Sequence, residues 1–446
     1  MAAQRSSAPA PQQKRLAAYF DWLAPAAGHA DRILPLQNYC TGLLLDGERK
    51  SVEPMAARLA PAAVQAMHES LHHFVAQSPW SDANMLRHGT CVPQVRSYVL
   101  PALQKTGPVT AWIVDETGFV KSGTHSVGVA RQYCGRVGKK ENCQIAVSLS
   151  VATAHASLPI SWGLYLPESW ASDEERRRQA GVPAEVQFQT KPRIALEQIQ
   201  QAVQEGVPRG VVLADSVYGT DQEFRAGVAE LNVQYSLGVK ATTTVWALER
   251  QPLPPKPRKG KARQARRLRR DAQHRPYTAE ELARALPQEA WRGVSWREGS
   301  KGRLQSRFAA VWVRPAYGDD RQIGVQPEQW LLIEWPEGEP EPTRYGLSNL
   351  PAKTPLKRLV RITKQRWVME RDYEELKQEV GLGHYEGRNW RGFHHHATLC
   401  IAAYGFLMAE RNRFSPSAHV GHLRLRAPGI PSAFRPRGSP GTRATA

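Results

Sequence analysis

Residues 111–119, AWIVDETGF, form the stretch around which the rest of the chain can be organised. The apolar run before Asp115 predicts a strand that is buried on both faces, as in parallel sheets covered by helices. Asp115 is expected at the carboxyl end of this strand, where open α/β sheets place their ligands. Residues 211–215, VVLAD, repeat the pattern and end on Asp215. Two buried strands are therefore expected to bring a carboxylate each to one sheet edge.

The segments around these two strands complete a mixed α/β pattern. Apolar runs predict further strands at residues 144–153, 158–166 and 234–240. Helical spacing of apolar residues predicts helices at 194–203 and 221–231. The order strand, strand, strand, helix, strand, helix, strand predicts an α/β fold with a ribonuclease-H-like core.

Changes in composition divide the chain into six predicted segments. A β-rich insertion is inferred because strand-like pieces with bulky aromatics precede Thr354-Pro355, where the helical pattern resumes. The segments are a disordered stretch 1–14, a helical region 15–108, the first part of the core 109–240, a basic, β-rich insertion 241–349, the helical remainder of the core 350–414 and a disordered basic tail 415–446.

Two short helices in the N-terminal region have two interpretations. The first helix begins with Ser51 and has Pro54 in its first turn, and the second runs through Leu71 and Phe74. Such a pair in a basic protein can form a helix-turn-helix that binds DNA. A plain helical bundle fits equally well, because the turn near Pro61 lacks a diagnostic glycine.

The chain carries a large excess of positive charge. Its 60 Lys and Arg against 41 Asp and Glu give a formal net charge of +19, which favours a polyanionic partner, nucleic acid first. Some bacterial proteins from high-GC genomes are Arg-rich throughout, so the charge by itself favours nucleic acid only modestly. The insertion holds a basic run that is either a solvated loop or a clamp on phosphates, with candidate contacts at Arg266, Arg267, Arg269 and Arg270.

Several classes of protein are disfavoured by what the sequence lacks. The five cysteines include no C-x-x-C pair, which argues against a disulfide framework and a zinc ribbon. No signal-peptide pattern and no run of about 18 apolar residues is present. Neither a G-x-G-x-x-G motif nor a P-loop is present. We therefore expect a cytoplasmic protein that contacts no membrane and uses no nucleotide cofactor.

A third acid is expected on a later helix, in residues 365–377, QRWVMERDYEELK. At 100° per residue, Arg366, Glu370 and Lys377 lie within about 40° of one another and share one face. Glu374 lies about 40° from Glu370 and stays open as an alternative, whereas Glu375 points away. By itself this pattern favours an exposed helix with internal ion pairs.

The combination of these acids with a strongly basic chain favours a metal site over an exposed helix with internal ion pairs. Carboxylates gathered at a sheet edge repel one another unless cations lie between them, and hard oxygen ligands suit Mg²⁺ or Mn²⁺. Two such ions about 3.5–4 Å apart can cut phosphodiesters. Arg366 and Lys377 would then contact the phosphates that flank the reacting one.

At these residues the chain resembles the DDE transposases of bacterial insertion sequences, in the cut-and-paste branch marked by Y-x2-R-x3-E-x6-K. Arg366, Glu370 and Lys377 match the last three letters at that spacing, and Thr363 occupies the Tyr position. The resemblance continues through residues 114–119, 214–219, 347–350 and 385–390, and it covers most of residues 40–410.

The resemblance implies that Asp115, Asp215 and Glu370 are catalytic ligands for Mg²⁺, with Mn²⁺ as a substitute. It also implies a β insertion between the second and third acids and a helical N-terminal region that binds the terminal inverted repeats. The expected partner is double-stranded DNA, from element ends and target, bound by a homodimer in the bacterial cytoplasm and nucleoid.

Related enzymes of this branch can free their element through a DNA hairpin, with a flipped base stacked on an aromatic side chain. The candidates here are Trp291, Trp296 and Trp312, although a core position in the inserted sheet is favoured for each. The run His394-His395-His396 is not expected to chelate one ion together, because consecutive histidines on a helix point in three directions; a packing helix with at most one His near the site is expected instead. Glu116 is expected to face the opposite side of its strand from Asp115.

These observations predict a metal-dependent enzyme that nicks the ends of a mobile element and transfers the 3′-hydroxyls into target DNA. A stand-alone nuclease and a non-catalytic repressor derived from a transposase are the alternatives. The repressor would have no use for three intact acids. A glycoside hydrolase with paired carboxylates is weaker still, because it gains nothing from the positive charge.

Overall fold

The structure is a computed structural model that describes residues 11–86, 95–256, 268–299, 302–316 and 326–414. The described residues fall into two compact units. The first unit draws on Met1–Ala102, Gln179–Val182 and Glu374–Ala446, and the second on Leu103–Arg178 and Pro183–Tyr373. No helix within the described ranges is long and apolar enough to cross a membrane.

The described chain contains helices and strands throughout, as a mixed α/β protein does. In chain order they are α1 (Pro11–Leu23), α2 (Ile33–Leu44), α3 (Val52–Leu59), α4 (Val64–Ala76), α5 (Asp82–Leu86), α6 (Val95–Gln104), β1 (Ala111–Val120), β2 (Ala130–Cys134), β3 (Lys139–Ala152), β4 (Ser157–Tyr165), α7 (Glu168–Ala171), α8 (Glu174–Ala180), α9 (Lys191–Gln204), β5 (Val211–Ala214), α10 (Ser216–Gly219), α11 (Gln222–Glu230), β6 (Tyr235–Val239), β7 (Thr244–Ala247), β8 (Tyr277–Thr278), α12 (Ala279–Ala285), β9 (Arg292–Gly299), β10 (Gly302–Pro315), β11 (Gln329–Trp335), β12 (Arg344–Ser348), α13 (Leu356–Thr363), α14 (Trp367–Gln378) and α15 (Trp390–Phe414). The mixed α/β fold predicted from the sequence is confirmed.

The first unit is helical and is built around α15. This helix is buried on nearly all sides from Phe393 to Ala409, as expected of a core helix that is apolar all round. It contacts α2, α4 and α5, and the Tyr19 hydroxyl of α1 donates to the Ala402 carbonyl over 2.9 Å. The sequence analysis grouped α15 with the segment 350–414, whereas the structure places it among the N-terminal helices.

Two local predictions differ from the structure. Helix α1 begins at Pro11, so residues 11–14 are helical where disorder was expected, while residues 1–10 lie outside the described ranges. Proline suits a first helical turn because its missing N–H would have no partner there. Helix α13 begins at Leu356 with Pro355 as its N-cap, one residue later than the predicted Thr354 cap.

The second unit contains one sheet, to which twelve strands belong within the described residues. Strand β1 pairs with β3 in antiparallel fashion along its whole length, and β3 pairs with β4 in the same way. On its other side β1 pairs in parallel with β5, which in turn pairs in parallel with β6. Helices α9 and α11 precede and follow β5, in the order that the sequence predicts.

The β-rich insertion extends this same sheet. Strand β12 pairs with β6, and β11 and β10 follow, all in antiparallel fashion. Helix α12 covers this part, beginning with a capping box between Thr278 and Glu281 and packing Leu282 against buried Val313 and Leu331. A stretch that is separate along the chain therefore continues the surface of the core sheet.

Strand β1 does not end at Asp115, so that prediction was wrong. The strand continues to Val120, because its antiparallel pairing with β3 continues to the Val120–Cys143 pair. The parallel pairing with β5 stops at Ile113 and Leu213. Asp115 therefore lies within its strand, at the point where the neighbouring strand ends.

Candidate active site

Asp115 and Asp215 lie side by side at the end of β5. Ile113 pairs with Leu213, and each aspartate comes two residues later in the chain, Asp115 within β1 and Asp215 directly after β5. Adjacent strands lie about 4.8 Å apart, so the two side chains leave the sheet close together. Asp215 is also the N-cap of α10, because its Oδ1 accepts from the Val217 amide over 2.9 Å.

Close packing fixes the turn that carries Asp215. Helix α10 lies directly on β6, where a Cβ atom at Gly219 would come within 1.8 Å of the Gly238 carbonyl oxygen. Only a glycine permits this approach. The absence of a side chain at Gly219 therefore allows α10 to pack closely against the sheet.

The environment of Asp115 is unfavourable to its negative charge. Burial raises the pKa of this carboxyl to about 6, the Arg366 guanidinium opposes the rise, and the neighbouring Asp215 carboxylate adds to it. Arg366 Nη2 lies 3.1 Å from Asp115 Oδ1, and both side chains are about a quarter exposed. Arg366 thus supplies the positive charge beside Asp115 in this structure.

Helix α14 is joined to β3 and β4 by hydrogen bonds. The Tyr373 hydroxyl donates to Ser148 Oγ over 2.5 Å, and Ser148 is the cross-strand partner of Asp115. The buried carboxylate of Asp372 accepts from the amide and the hydroxyl of Ser157 at 2.6 and 2.7 Å. These contacts join residues more than 200 positions apart along the chain, so no local sequence pattern announces them.

Glu370 lies on this helix between the residues that contact the sheet. It is four residues after Arg366 and three before Tyr373, so it shares their side of the helix. Its side chain is exposed, and within the described ranges its carboxylate has no hydrogen bond or ion pair. The structure brings Asp115 and Asp215 together, and Glu370 lies one helical turn after Arg366, the residue that contacts Asp115.

The pair Asp115 and Asp215 fits a hard divalent cation by its chemistry. Carboxylate oxygens are the ligands that Mg²⁺ and Mn²⁺ prefer, and the mutual repulsion of the two acids would be relieved by such a charge. Among the described residues, however, no group of three His, Cys, Asp or Glu side chains could hold a metal ion. The assignment of Asp115, Asp215 and Glu370 as metal ligands therefore stays a prediction.

Glu116 faces away from Asp115, as the strand alternation predicts. It accepts from Lys191 Nζ of α9 over 2.5 Å and from the Tyr218 hydroxyl of α10 over 3.3 Å. Because Tyr218 follows Asp215 by three residues, Glu116 ties the two acid-bearing segments together behind the site. The contacts of Lys191 and Tyr218 with Glu116 are not predictable from the sequence, because their relation to β1 exists only in the folded sheet.

The predicted DNA-contacting residues have mixed positions. Arg366 pairs with Asp115, and Lys377 lies half-buried in the first unit. Arg269 Nε donates to the Pro254 carbonyl and Arg270 Nη2 to the Ala316 carbonyl, each over 2.9 Å. Arg266 and Arg267 lie outside the described residues. Phosphate binding by these side chains stays a prediction.

The tryptophans considered for base stacking are half-buried in the extended sheet. Trp312 donates to Glu328 over 2.7 Å, Trp296 packs edge-on against Phe308, and Trp291 packs edge-on against Trp335. These contacts support the favoured interpretation that they are structural side chains.

The histidine run lies in the core of the first unit. His394 and His395 contact main-chain carbonyl oxygens, and His396 Nδ1 lies 2.9 Å from the Tyr39 hydroxyl. The three rings point to different partners, so the run does not act as one chelating group.

Thr363 stands at the tyrosine position of the four-letter signature. Its hydroxyl donates to the Leu359 carbonyl over 2.9 Å and lies 2.7 Å from Ser236 Oγ of β6. The residue therefore packs α13 against the sheet. Next to it, Lys364 Nζ lies 2.6 Å from both carboxylate oxygens of Glu334 on β11, which anchors the turn that leads to Arg366.

Comparison with known proteins adds to this geometry. Over 211 residues the chain is 32% identical to the probable transposase for insertion sequence element IS701 of Microchaete diplosiphon, a match to 47% of this chain and 50% of that protein. The chain thus spans about half the length of that relative. A cryo-EM structure of a piggyBac transposase synaptic complex with hairpin DNA matches 96% of this chain and 84% of its own, with 12% identity and a TM-score of 0.42, too low to argue from.

A family match covers the segment that contains both aspartates. Residues 22–303, more than half of the chain, match the DDE superfamily endonucleases. This match includes β1, which carries Asp115, and β5, which Asp215 directly follows. The chain belongs to the DDE superfamily endonuclease family.

Proposed function

We propose that this protein is the transposase of an insertion sequence. In this proposal it binds the terminal inverted repeats, cleaves phosphodiesters at the element ends and transfers the 3′-hydroxyl ends into target DNA. The observation that carries the proposal is the placement of Asp115 and Asp215 two residues beyond the paired residues Ile113 and Leu213 of adjacent parallel strands, in a DDE-family chain. The partner is double-stranded DNA, bound by a homodimer on paired ends in the bacterial cytoplasm.

The strand arrangement supports a ribonuclease-H-like core for this enzyme. Three antiparallel strands, β4, β3 and β1, continue into the parallel strands β5 and β6. Such a sheet presents acids from β1 and the end of β5 at a common position, open to a ligand on the face that α14 crosses. The strands β7–β12 form the insertion between the second and third acids.

Asp115, Asp215 and Glu370 would hold the divalent ions, Mg²⁺ with Mn²⁺ as a substitute. When bound, such ions supply the Lewis acidity that phosphodiester cleavage needs. The chain's own residues set the geometry: Glu116 and Tyr218 brace the two aspartates from behind, and Tyr373 fixes the helix that bears Glu370.

Arg366 has two roles in this proposal. In the structure its guanidinium neutralises the Asp115 carboxylate across 3.1 Å. The same guanidinium, one helical turn before Glu370, would also be a donor to a DNA phosphate. Lys377 and the basic run around Arg269 are further candidates for phosphate contacts.

A cleavage and strand-transfer assay on DNA that carries the element's own terminal repeats tests the proposal. The variants Asp115→Asn, Asp215→Asn and Glu370→Gln should lose Mg²⁺-dependent cleavage while they keep repeat binding, because ligand oxygens are removed and basic contacts are not. Glu374→Gln tests the alternative third acid, since Glu374 is an exposed glutamate one turn further along α14. It should cleave like the wild type.

The outcomes separate the alternatives. Retained cleavage in any of the three variants contradicts the role assigned to that residue. Wild-type protein that binds repeat DNA without cutting it, with Mg²⁺ or Mn²⁺ present, would instead identify a repressor. Cutting without preference for the repeats or strand transfer would identify a stand-alone nuclease.

A further inference from the structure

A guanidinium of the insertion stacks on the first residue of the helix that bears Glu370. Arg297 of β9 places its guanidinium carbon 4.1 Å from the centre of the Trp367 ring. Both side chains are half-buried. An arginine stacked on an indole loses much of its rotational freedom, and the stack itself uses none of its N–H donors.

Arg297 differs from other arginines nearby in having no anionic partner. Arg303, on the next strand, pairs with Glu298 at 2.9 Å, and Arg314 pairs with Glu328 at 2.8 Å. Arg371, which also lies 5.5 Å from the Trp367 ring, donates to the Asp372 carboxylate. Within the described ranges Arg297 has no hydrogen-bond acceptor, and its buried Nε is without a partner.

The guanidinium of Arg297 lies next to the helix that carries Glu370, close to the residue that contacts Asp115. Trp367 directly follows Arg366, which contacts Asp115, and precedes Glu370 by three residues, or nearly one helical turn. A preorganised guanidinium with free donors matches the oxygens of a phosphodiester, which it can bind with two parallel hydrogen bonds. A DNA strand that approaches Glu370 would bring such phosphates past it.

We propose that Arg297 binds a backbone phosphate of the DNA strand that is cut, next to the scissile phosphate. The stack on Trp367 holds the guanidinium in place before DNA arrives, so the insertion takes part in positioning the substrate. This inference rests on the proposed function, because it assumes that DNA is the substrate of the acidic site.

The test compares Arg297→Gln and Arg297→Lys with the matched control Arg303→Gln. Arg303 belongs to the neighbouring strand, is about 72% exposed and already has a carboxylate partner. The Kd for repeat-end duplex DNA is measured in EDTA over a range of salt concentrations, with full-length protein. Loss of one phosphate contact should raise the Kd roughly 5- to 20-fold and reduce the slope of log K against log salt by about one.

A second measurement locates the contact. Single methylphosphonates, which remove one phosphate charge at a time, are placed along the cut strand. The wild type should lose affinity at a phosphate beside the cleavage site, and Arg297→Gln should show no further loss at that position. Arg297→Lys should keep the salt dependence but bind more weakly than wild type, since it loses the planar fork and the stack.

Several results would overturn the inference. Arg297→Gln with wild-type Kd, salt slope and methylphosphonate profile would show that the stack on Trp367 is only structural. A general loss of folding, seen as a lower unfolding temperature for Arg297→Gln and Arg297→Lys alike, would likewise make the role structural. If the wild type itself fails to bind repeat DNA, the proposed function fails, which is a separate result.

Discussion

Replacing Asp115 by asparagine should stabilise the metal-free protein at neutral pH. Burial raises the pKa of Asp115 from its ordinary 3.8 to about 6, with Arg366 opposing and Asp215 reinforcing the rise. Because folding raises this pKa, the stability contributed by the protonated carboxyl is complete below about pH 4 and is lost as the pH rises through about 6. At neutral pH the loss corresponds to about 3 kcal/mol of the free energy of unfolding.

The assay is thermal unfolding of wild type and Asp115→Asn in EDTA between about pH 4 and pH 7.5. The two proteins should have similar unfolding temperatures at the acid end, where the carboxyl is protonated in both folded and unfolded states. At the neutral end the variant should unfold roughly 5–10 °C higher. Asp21→Asn is the control, because Asp21 is exposed and its replacement should change little at any pH.

Two results would refute this reasoning. An Asp115→Asn variant that is less stable than wild type at neutral pH would mean that the Arg366 ion pair outweighs the cost of burial. A difference that does not change with pH would mean that the pKa of Asp115 is not raised. The expected result would show that the acid we propose as a metal ligand lowers the stability of the fold that carries it.

Two further substitutions test the packing around the site. Gly219→Ala should lower the free energy of unfolding by at least about 2 kcal/mol, because the new methyl group would collide with the Gly238 carbonyl; Gly123→Ala, where the space is open, should cost far less in the same denaturant titration. Asp372→Ala should cost about 2–3 kcal/mol, because the amide and hydroxyl of Ser157 lose their buried acceptor, and an unchanged unfolding midpoint would contradict that role.

Much of the core sheet follows from local patterns in the sequence. The apolar runs that end on Asp115 and Asp215 predicted strands, and the structure has β1 and β5 there. The end of β1 was predicted wrongly, because where a strand stops depends on its neighbours. Here β3 continues beside β1 to Cys143, and no feature of residues 115–120 reveals that partner.

The candidate site follows from the sequence only in part. The identity of the three acids was predicted from strand ends, helix periodicity and the spacing of Arg366, Glu370 and Lys377, and it stays a prediction. The position of Arg366 was not predictable, because a pattern of residues along a helix does not show which acid a guanidinium contacts. The contact with Asp115 joins positions 251 residues apart.

By itself the sequence determined the residue types, their periodicity and the excess of positive charge, which together predict an α/β enzyme acting on nucleic acid. Residue types and periodicity depend only on neighbouring residues, and the net charge is a sum over the chain, so the sequence alone shows all three. Only the tertiary structure decided that the insertion joins the core sheet through β12, that Glu116 braces the aspartates, and that Arg297 stacks beside Glu370's helix. These relations depend on distances between residues that are far apart in sequence, and the packing of the whole sheet sets those distances.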